Sequence, residues 1–237
     1  MRQLPRAAAT LALSLATGLT AAASASDTAP ATALDRYLQG LHSLSATFTQ
    51  TVTDSHGARV ETGSGQLLVQ RPGKFHWDYE PTSAGTGKGA EAGARSDAGK
   101  AQPRGQILVA DGRNLWFYDR ELSQVTVKPV AAALSSTPIV LLSGSDADLR
   151  ASFEISDSGT RDGLDWVEVK PRSTEADFSV ADLGFDGGRL VRMIINDRLG
   201  QTVRLDFTRS ERNARIDPAA LEFQPPAGVD VIGTPQS

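Results

Sequence analysis

The sequence predicts a mainly β protein with a few helices, built as an antiparallel sandwich or barrel. Three observations carry that expectation. Apolar and polar residues alternate with period two through most of the chain, as on strands with one buried face. Gly/Asp/Asn/Pro turn signals recur roughly every eight to twelve residues. Only two stretches read as helix, one near the start and one in the middle.

The first segment of the 237-residue chain reads as a leader. Arg2 and Arg6 form a positive start, Ala7 to Ala22 are small or apolar without an acid, and Ala23-Ser24-Ala25 supplies an A-x-A cleavage site. The expectation is a cleaved signal peptide over residues 1–25 and a single exported domain over 26–237, free in the periplasm or secreted. The chain has no cysteine, which excludes disulfides, thiol catalysis, thiolate metal sites and cysteine lipidation. Losing Arg2 and Arg6 with the leader takes the net charge from −4 to about −6, and no basic cluster suggests a nucleic-acid partner.

Thr32 and Asp35 form a helix start, and Leu34, Tyr37, Leu38, Leu41 and Leu44 follow at helical spacing. The period then changes to two. Thr47 to Thr53 places Phe48 and Val52 on one face, Asp54–Gly57 turns, and Val60 to Gln70 returns with bend positions at Gly63 and Gly65. Arg71-Pro72-Gly73 turns again into Lys74 to Glu80, where Phe75, Trp77 and Tyr79 alternate. Residues 82–105 contain no large apolar side chain, so a disordered insertion is expected there. Strands are expected over Gln106–Ala110, Leu115–Tyr118 and Gln124–Val130. Ala131 to Ser143 breaks the period and predicts a short helix capped by Ser136 or Thr137, with Pro138 at its first position. Strands follow over Arg150–Ser156, Asp165–Pro171, Phe178–Phe185, Arg189–Asn196 and Gln201–Thr208, and a last short strand over Leu221–Pro226.

No catalytic constellation can be assembled. His42, His56 and His76 form no metal spacing, and neither a G-x-S-x-G elbow nor a phosphate loop is present. Asp146 and Asp148 resemble the start of a calcium loop but lack its glycine and terminal glutamate. The expectation is a non-enzyme without cofactor or metal.

Five motifs in order resemble the LolA family of periplasmic lipoprotein carriers: LSATFTQTVTDSHG from Leu44, RPGKFHWDYEP from Arg71, ILVADGRNLWFYD from Ile107, STPIVLLSG from Ser136 and FQPPAGVDVI from Phe223. The insertion over 82–105 is the main departure. The resemblance implies an incomplete (unclosed) antiparallel β-barrel covered by an α-helical lid, with acyl chains held beneath it. It implies acylated lipoproteins as cargo, an inner-membrane ABC-type transporter that loads the carrier, and a LolB-like outer-membrane receptor that unloads it. The missing cysteine favours the soluble carrier over the lipidated receptor. A periplasmic carrier or sensor of free lipids or other amphiphiles on the same fold is the alternative, and a monomer is expected.

Two or three acyl chains hold about 30 to 45 methylenes, each worth roughly 0.8 kcal/mol when removed from water, so such a carrier needs a large apolar surface. Candidates for that surface are Leu34, Leu38, Leu41, Phe48, Phe75 and Trp77. Periodicity alone favours plain core for all six. The resemblance favours cavity lining for Phe75, Leu34 and Leu38, and leaves Trp77 open. Pro138, Ile139, Leu141 and Leu142 would belong to the lid. Arg71 reads either as a solvated hairpin arginine or, by the resemblance, as the residue that locks the lid through hydrogen bonds to lid backbone, a task suited to a permanently charged five-donor fork.

Overall fold

The computed structural model describes residues 31–84, 104–130 and 138–236. Among these, twelve strands form one sheet in the order β12-β6-β5-β4-β3-β2-β1-β11-β10-β9-β8-β7. They are β1 (Ser43–Thr53), β2 (Arg59–Gln70), β3 (Lys74–Ala84), β4 (Gln106–Asp111), β5 (Asn114–Asp119), β6 (Gln124–Pro129), β7 (Phe153–Arg161), β8 (Leu164–Pro171), β9 (Phe178–Asp186), β10 (Arg189–Asp197), β11 (Thr202–Arg212) and β12 (Asp230–Ile232). Every pairing is antiparallel except β12 with β6. The edge strands β7 and β12 do not pair, so the barrel is unclosed, as expected.

Two faces of the sheet have different tasks. One large cluster draws side chains from β1 to β5 and from β7 to β11 around three short helices: α1 (Ala33–Leu38), α2 (Val140–Ser143) and α3 (Asp146–Ser152). Phe75 and Tyr79 are buried in it and Trp77 packs against it, so the alternating aromatics of β3 do share the inner face. On the outer face, Val109, Trp116, Val125 and Val127 form a smaller cluster covered by Phe223 and Val229 of the C-terminal segment.

Glycine makes the inner face possible at two places. A Cβ on Gly65 would lie 2.3 Å from Phe48 Cζ and 2.3 Å from the Asp78 carbonyl, and one on Gly63 would lie 2.4 Å from the Glu80 carbonyl and 2.5 Å from the Tyr79 ring. These are the two predicted bend positions, and the β2–β3 register shifts between Thr62 and Gly63.

Several element boundaries differ from the expectation. The first helix stops at Leu38. Gly40 turns the chain at φ 68°, so Leu41 lies beyond the helix and Leu44 starts its burial from β1. The apolar spacing that looked helical over Leu34–Leu44 is shared by a helix, a turn and a strand. Pro138 precedes α2 by two residues rather than opening it, and Ile139 occupies the cap without a side-chain bond. Ser136 and Thr137 lie outside the described residues. Arg150–Ser152 is helical rather than extended, because Ser145 caps α3 by accepting from the Asp148 amide at 3.2 Å. Leu221 ends a 3-10 turn (Pro218–Leu221), and the last strand is Asp230–Ile232 instead of Leu221–Pro226. Strand β3 continues through Ala84, past the expected start of the insertion. Residues 85–103, the bulk of that insertion, and the leader over 1–25 lie outside the described residues.

Candidate functional site

The turn between β2 and β3 carries Arg71, and its side chain is 10% exposed. The guanidinium donates from Nη1 to the Leu38 carbonyl at the end of α1 (3.1 Å). It donates from Nε and Nη2 to the Gly144 carbonyl just past α2 (3.1 and 2.8 Å). Nη2 also pairs with Asp146 in the first turn of α3 at 2.5 Å. Helix ends leave carbonyls without partners inside the helix, and Arg71 takes that of Leu38, the last residue of α1, and that of Gly144, the residue that follows α2. The same turn holds α2 a second way, since the Gly73 amide donates to the Ser143 carbonyl at 2.7 Å.

Further polar groups surround α1. Thr32 and Asp35 form a reciprocal capping box at its start. Burial pushes the Asp35 carboxyl up, but the bonds from Thr32 and the Arg150 guanidinium outweigh it and leave it below the usual carboxylate range. The Asp35–Arg150 pair joins α1 to α3 across the lid.

Among the described residues, apolar side chains fill much of the space beneath the helices. Leu34, Leu38, Leu41, Phe48 and Phe75 are buried in the large cluster, and Phe48 stacks on Trp77 with ring centroids 4.0 Å apart. A cavity of about 160 Å³ remains, bordered by Gln50, Trp77, Leu108, Pro138, Ile139, Met193, Ile195, Val203 and Leu205. Ligand pockets run roughly from 300 to 1,000 Å³, so this cavity by itself is too small for several acyl chains. Of the six candidate lining residues, Trp77 borders the cavity. Of the four lid residues, Pro138 and Ile139 border it, while Leu141 and Leu142 pack into the core behind.

Met193, Ile195, Val203 and Leu205 were not singled out by the sequence, although each pair alternates on its strand in a way that marks one face. The part played by Gly144 and Asp146 carried a signal in S-x-x-D over Ser145–Asp148, a helix-start pattern. The contacts of Arg71 carried no local signal, because its partners lie 33 and 73 residues away; only the family resemblance pointed to lid backbone.

The family described as outer membrane lipoprotein carrier protein LolA matches residues 39–84 and 99–224. Curated outer-membrane lipoprotein carrier proteins are similar over most of the chain. One from Chromobacterium violaceum is 37% identical, covering 93% of this chain and 94% of its own. One from Methylococcus capsulatus is 36% identical, covering 89% and 90%. One from Cupriavidus pinatubonensis is 34% identical, covering 98% of each. Among solved structures, a LolA superfamily protein from Nitrosomonas europaea overlays with a TM-score of 0.43 at 13% identity, covering 81% of this chain and 96% of that one.

Proposed function

The chain belongs to the outer membrane lipoprotein carrier protein LolA family, and on that premise we propose how it holds its cargo and gives it up. The protein is a lipoprotein carrier. Its cargo is an acylated lipoprotein, and it works in the periplasm as a monomer that binds without catalysing a reaction. An ABC-type transporter of the inner membrane loads it, and an outer-membrane receptor unloads it.

The observation that supports this reading best is Arg71 joined to the ends of both α1 and α2 above an interior with little free volume. Acyl chains enter where Pro138 and Ile139 border the cavity, and they displace the lid. As Leu141 and Leu142 lift, acyl chains take the place of their apolar packing partners, since apolar burial is not directional. The bonds of Arg71 are not remade. Each charge-assisted bond is worth about 1.5–3 kcal/mol, so the empty protein favours closure and the cargo is bound less tightly by that amount. Transfer then runs towards a receptor that carries no such cost, without an energy source at the outer membrane.

A release assay tests the reading. The purified protein is added to spheroplasts whose lipoproteins carry labelled acyl chains. Labelled lipoprotein is expected in the supernatant in a one-to-one complex. Arg71→Leu is expected to take up cargo as well or better and to deliver it at least about tenfold more slowly, the effect of roughly 1.4 kcal/mol. Delivery at the wild-type rate would remove Arg71 from the role. Recovery of free lipid in place of lipoprotein would overturn the cargo assignment.

A further inference from the structure

The polar bonds that hold the two sides of the lid are not equivalent. Four consecutive carbonyls, from Tyr37 in the last turn of α1 to Gly40 just past it, are each taken by a side chain from a strand end or turn. Arg212, the last residue of β11, donates from Nη2 to Tyr37 (2.8 Å) and Gln39 (3.0 Å). Arg71 takes Leu38, and Asn213 Nδ2 takes Gly40 at 3.0 Å. Asn213 Oδ1 also accepts from the His42 amide at 2.8 Å. The Arg212 guanidinium lies over the Tyr37 ring, 5.1 Å from its centroid, which adds a cation–π contact. If Arg71 lets go, three of the four carbonyls keep their side-chain partners, and that of Leu38 still accepts from the Leu41 amide at 3.0 Å.

Among the described residues, the polar bonds from the sheet side to the end of α2 have a single origin. The Gly144 carbonyl is held by Arg71 and the Ser143 carbonyl by the Gly73 amide, both from one hairpin turn. Asp146 of α3 is held by the same Arg71. The remaining polar link to α1, Asp35–Arg150, has its arginine well exposed and contributes little by itself. At its far end α3 runs straight into β7, where the Arg172 amide donates to the Ser152 carbonyl at 2.9 Å.

We propose that the lid opens on one side only: α2 and α3 swing about the Ser152–Phe153 junction when Arg71 releases, while Arg212 and Asn213 keep α1 in place as a wall of the site. Arg212 is thus a positioning residue with a task separate from that of Arg71. The physical reason is that apolar contacts of either helix are replaceable by acyl chains, whereas directional hydrogen bonds are not. Which helix moves is therefore decided by which polar bonds depend on Arg71. The use of the opening for cargo rests on the carrier reading; the positions of the helices in the empty protein do not.

The chain lacks cysteine, so pairs of introduced spin labels report single distances. Arg36→Cys with Arg209→Cys reports α1 against β11, and Ala147→Cys with Arg209→Cys reports α3 against β11; all three positions are exposed. In the cargo-free protein, Arg71→Leu is expected to lengthen and broaden the 147–209 distance while leaving 36–209 at its wild-type value. Arg212→Leu is expected to shift and broaden 36–209. Movement of both distances in Arg71→Leu would overturn the proposal, as would an unchanged 36–209 distance in Arg212→Leu. Should Arg212→Leu fail to fold, Arg212→Lys keeps the charge, loses the fork that spans two carbonyls, and is read by the same distance. If the distances behave as expected while the release assay fails, the one-sided lid stands and the cargo assignment does not.

Discussion

Tyr37 has a hydroxyl that is buried without a hydrogen-bond partner among the described residues. Its ring meets Phe185 on one side, at 5.6 Å between centroids, and Arg212 on the other. Burial pushes the phenol up to about 12, and the nearby Arg212 charge only partly opposes this. An unsatisfied buried hydroxyl costs about 1–3 kcal/mol, and phenylalanine has nearly the same shape. Tyr37→Phe is therefore expected to stabilise the protein by about 1 kcal/mol, read as a higher midpoint in urea with an unchanged slope. A lower midpoint would show that the hydroxyl has a partner. This polar excess on the underside of α1 is invisible in the sequence, where Tyr37 is one more member of an apolar stripe.

At the scale of the element, the sheet owes its inner packing to missing side chains. Gly65→Ala sets a methyl against the Asp78 carbonyl as well as the Phe48 ring, and backbone cannot step aside as a side chain can. A loss of about 1–3 kcal/mol is expected, measured by chemical denaturation; a loss below a few tenths would mean that β2 and β3 separate freely. Strands β8 and β9 show the opposite fault. Glu168 and Asp182 stand directly opposite each other, and burial, followed by the Glu168 charge, raises the Asp182 carboxyl above the usual range. A carboxyl raised on folding costs stability at pH values above its folded pKa. That cost fades as pH falls towards the unfolded value near 3.8. Asp182→Asn is expected to raise the melting temperature at pH 7 by the equivalent of about 0.2–0.5 kcal/mol after allowance for solvent screening, and to give no gain near pH 3. A gain that persists in acid would point to packing instead of charge.

For the whole molecule, the two faces of the sheet make separable contributions. The C-terminal segment seals the outer face: Phe223 packs against Trp116 and Tyr118, at 5.7 and 6.1 Å between centroids, and His76 Nδ1 meets the Ala220 carbonyl at 2.7 Å. None of these residues borders the cavity. Phe223→Ala is expected to cost about 1–2 kcal/mol of stability and to leave cargo uptake at the wild-type level in the release assay. Reduced uptake at a temperature where the variant is fully folded would mean that the two faces are coupled. The acid limb of stability belongs to this scale as well. Burial pushes the Asp111 carboxyl up, but bonds from the Asn114 amide, the Trp116 indole and the Arg113 amide outweigh it and leave it low. Asp206 is also partly buried, yet Arg204 and Arg192 leave it low. Such groups stabilise the fold above the unfolded carboxylate value, and that contribution is lost as pH falls through their lower folded values. Stability is expected to be level near neutrality and to fall below about pH 4, with Asp111→Asn showing a shallower acid loss.

The succession of strands along the chain, most of the turns and the inward face of Phe75, Trp77 and Tyr79 were legible because each depends on residues a few positions apart: alternation, glycine, proline and capping side chains act locally. The same local rules misread Leu34 to Leu44. A helix, a turn and a strand can share one apolar spacing, and the helix ends where Gln39 leaves the helical region at ψ 119° and Gly40 turns the chain at positive φ. By itself the sequence determined the family, the β architecture and the residue types that a lid lock requires. The tertiary structure alone decided which carbonyls Arg71 reaches, that Arg212 and Asn213 grip α1 from the far end of the chain, and how little space the closed interior leaves. Those facts depend on where β11 and the β2–β3 turn meet the helices. That meeting joins residues up to 175 positions apart, a separation at which no local periodicity carries information.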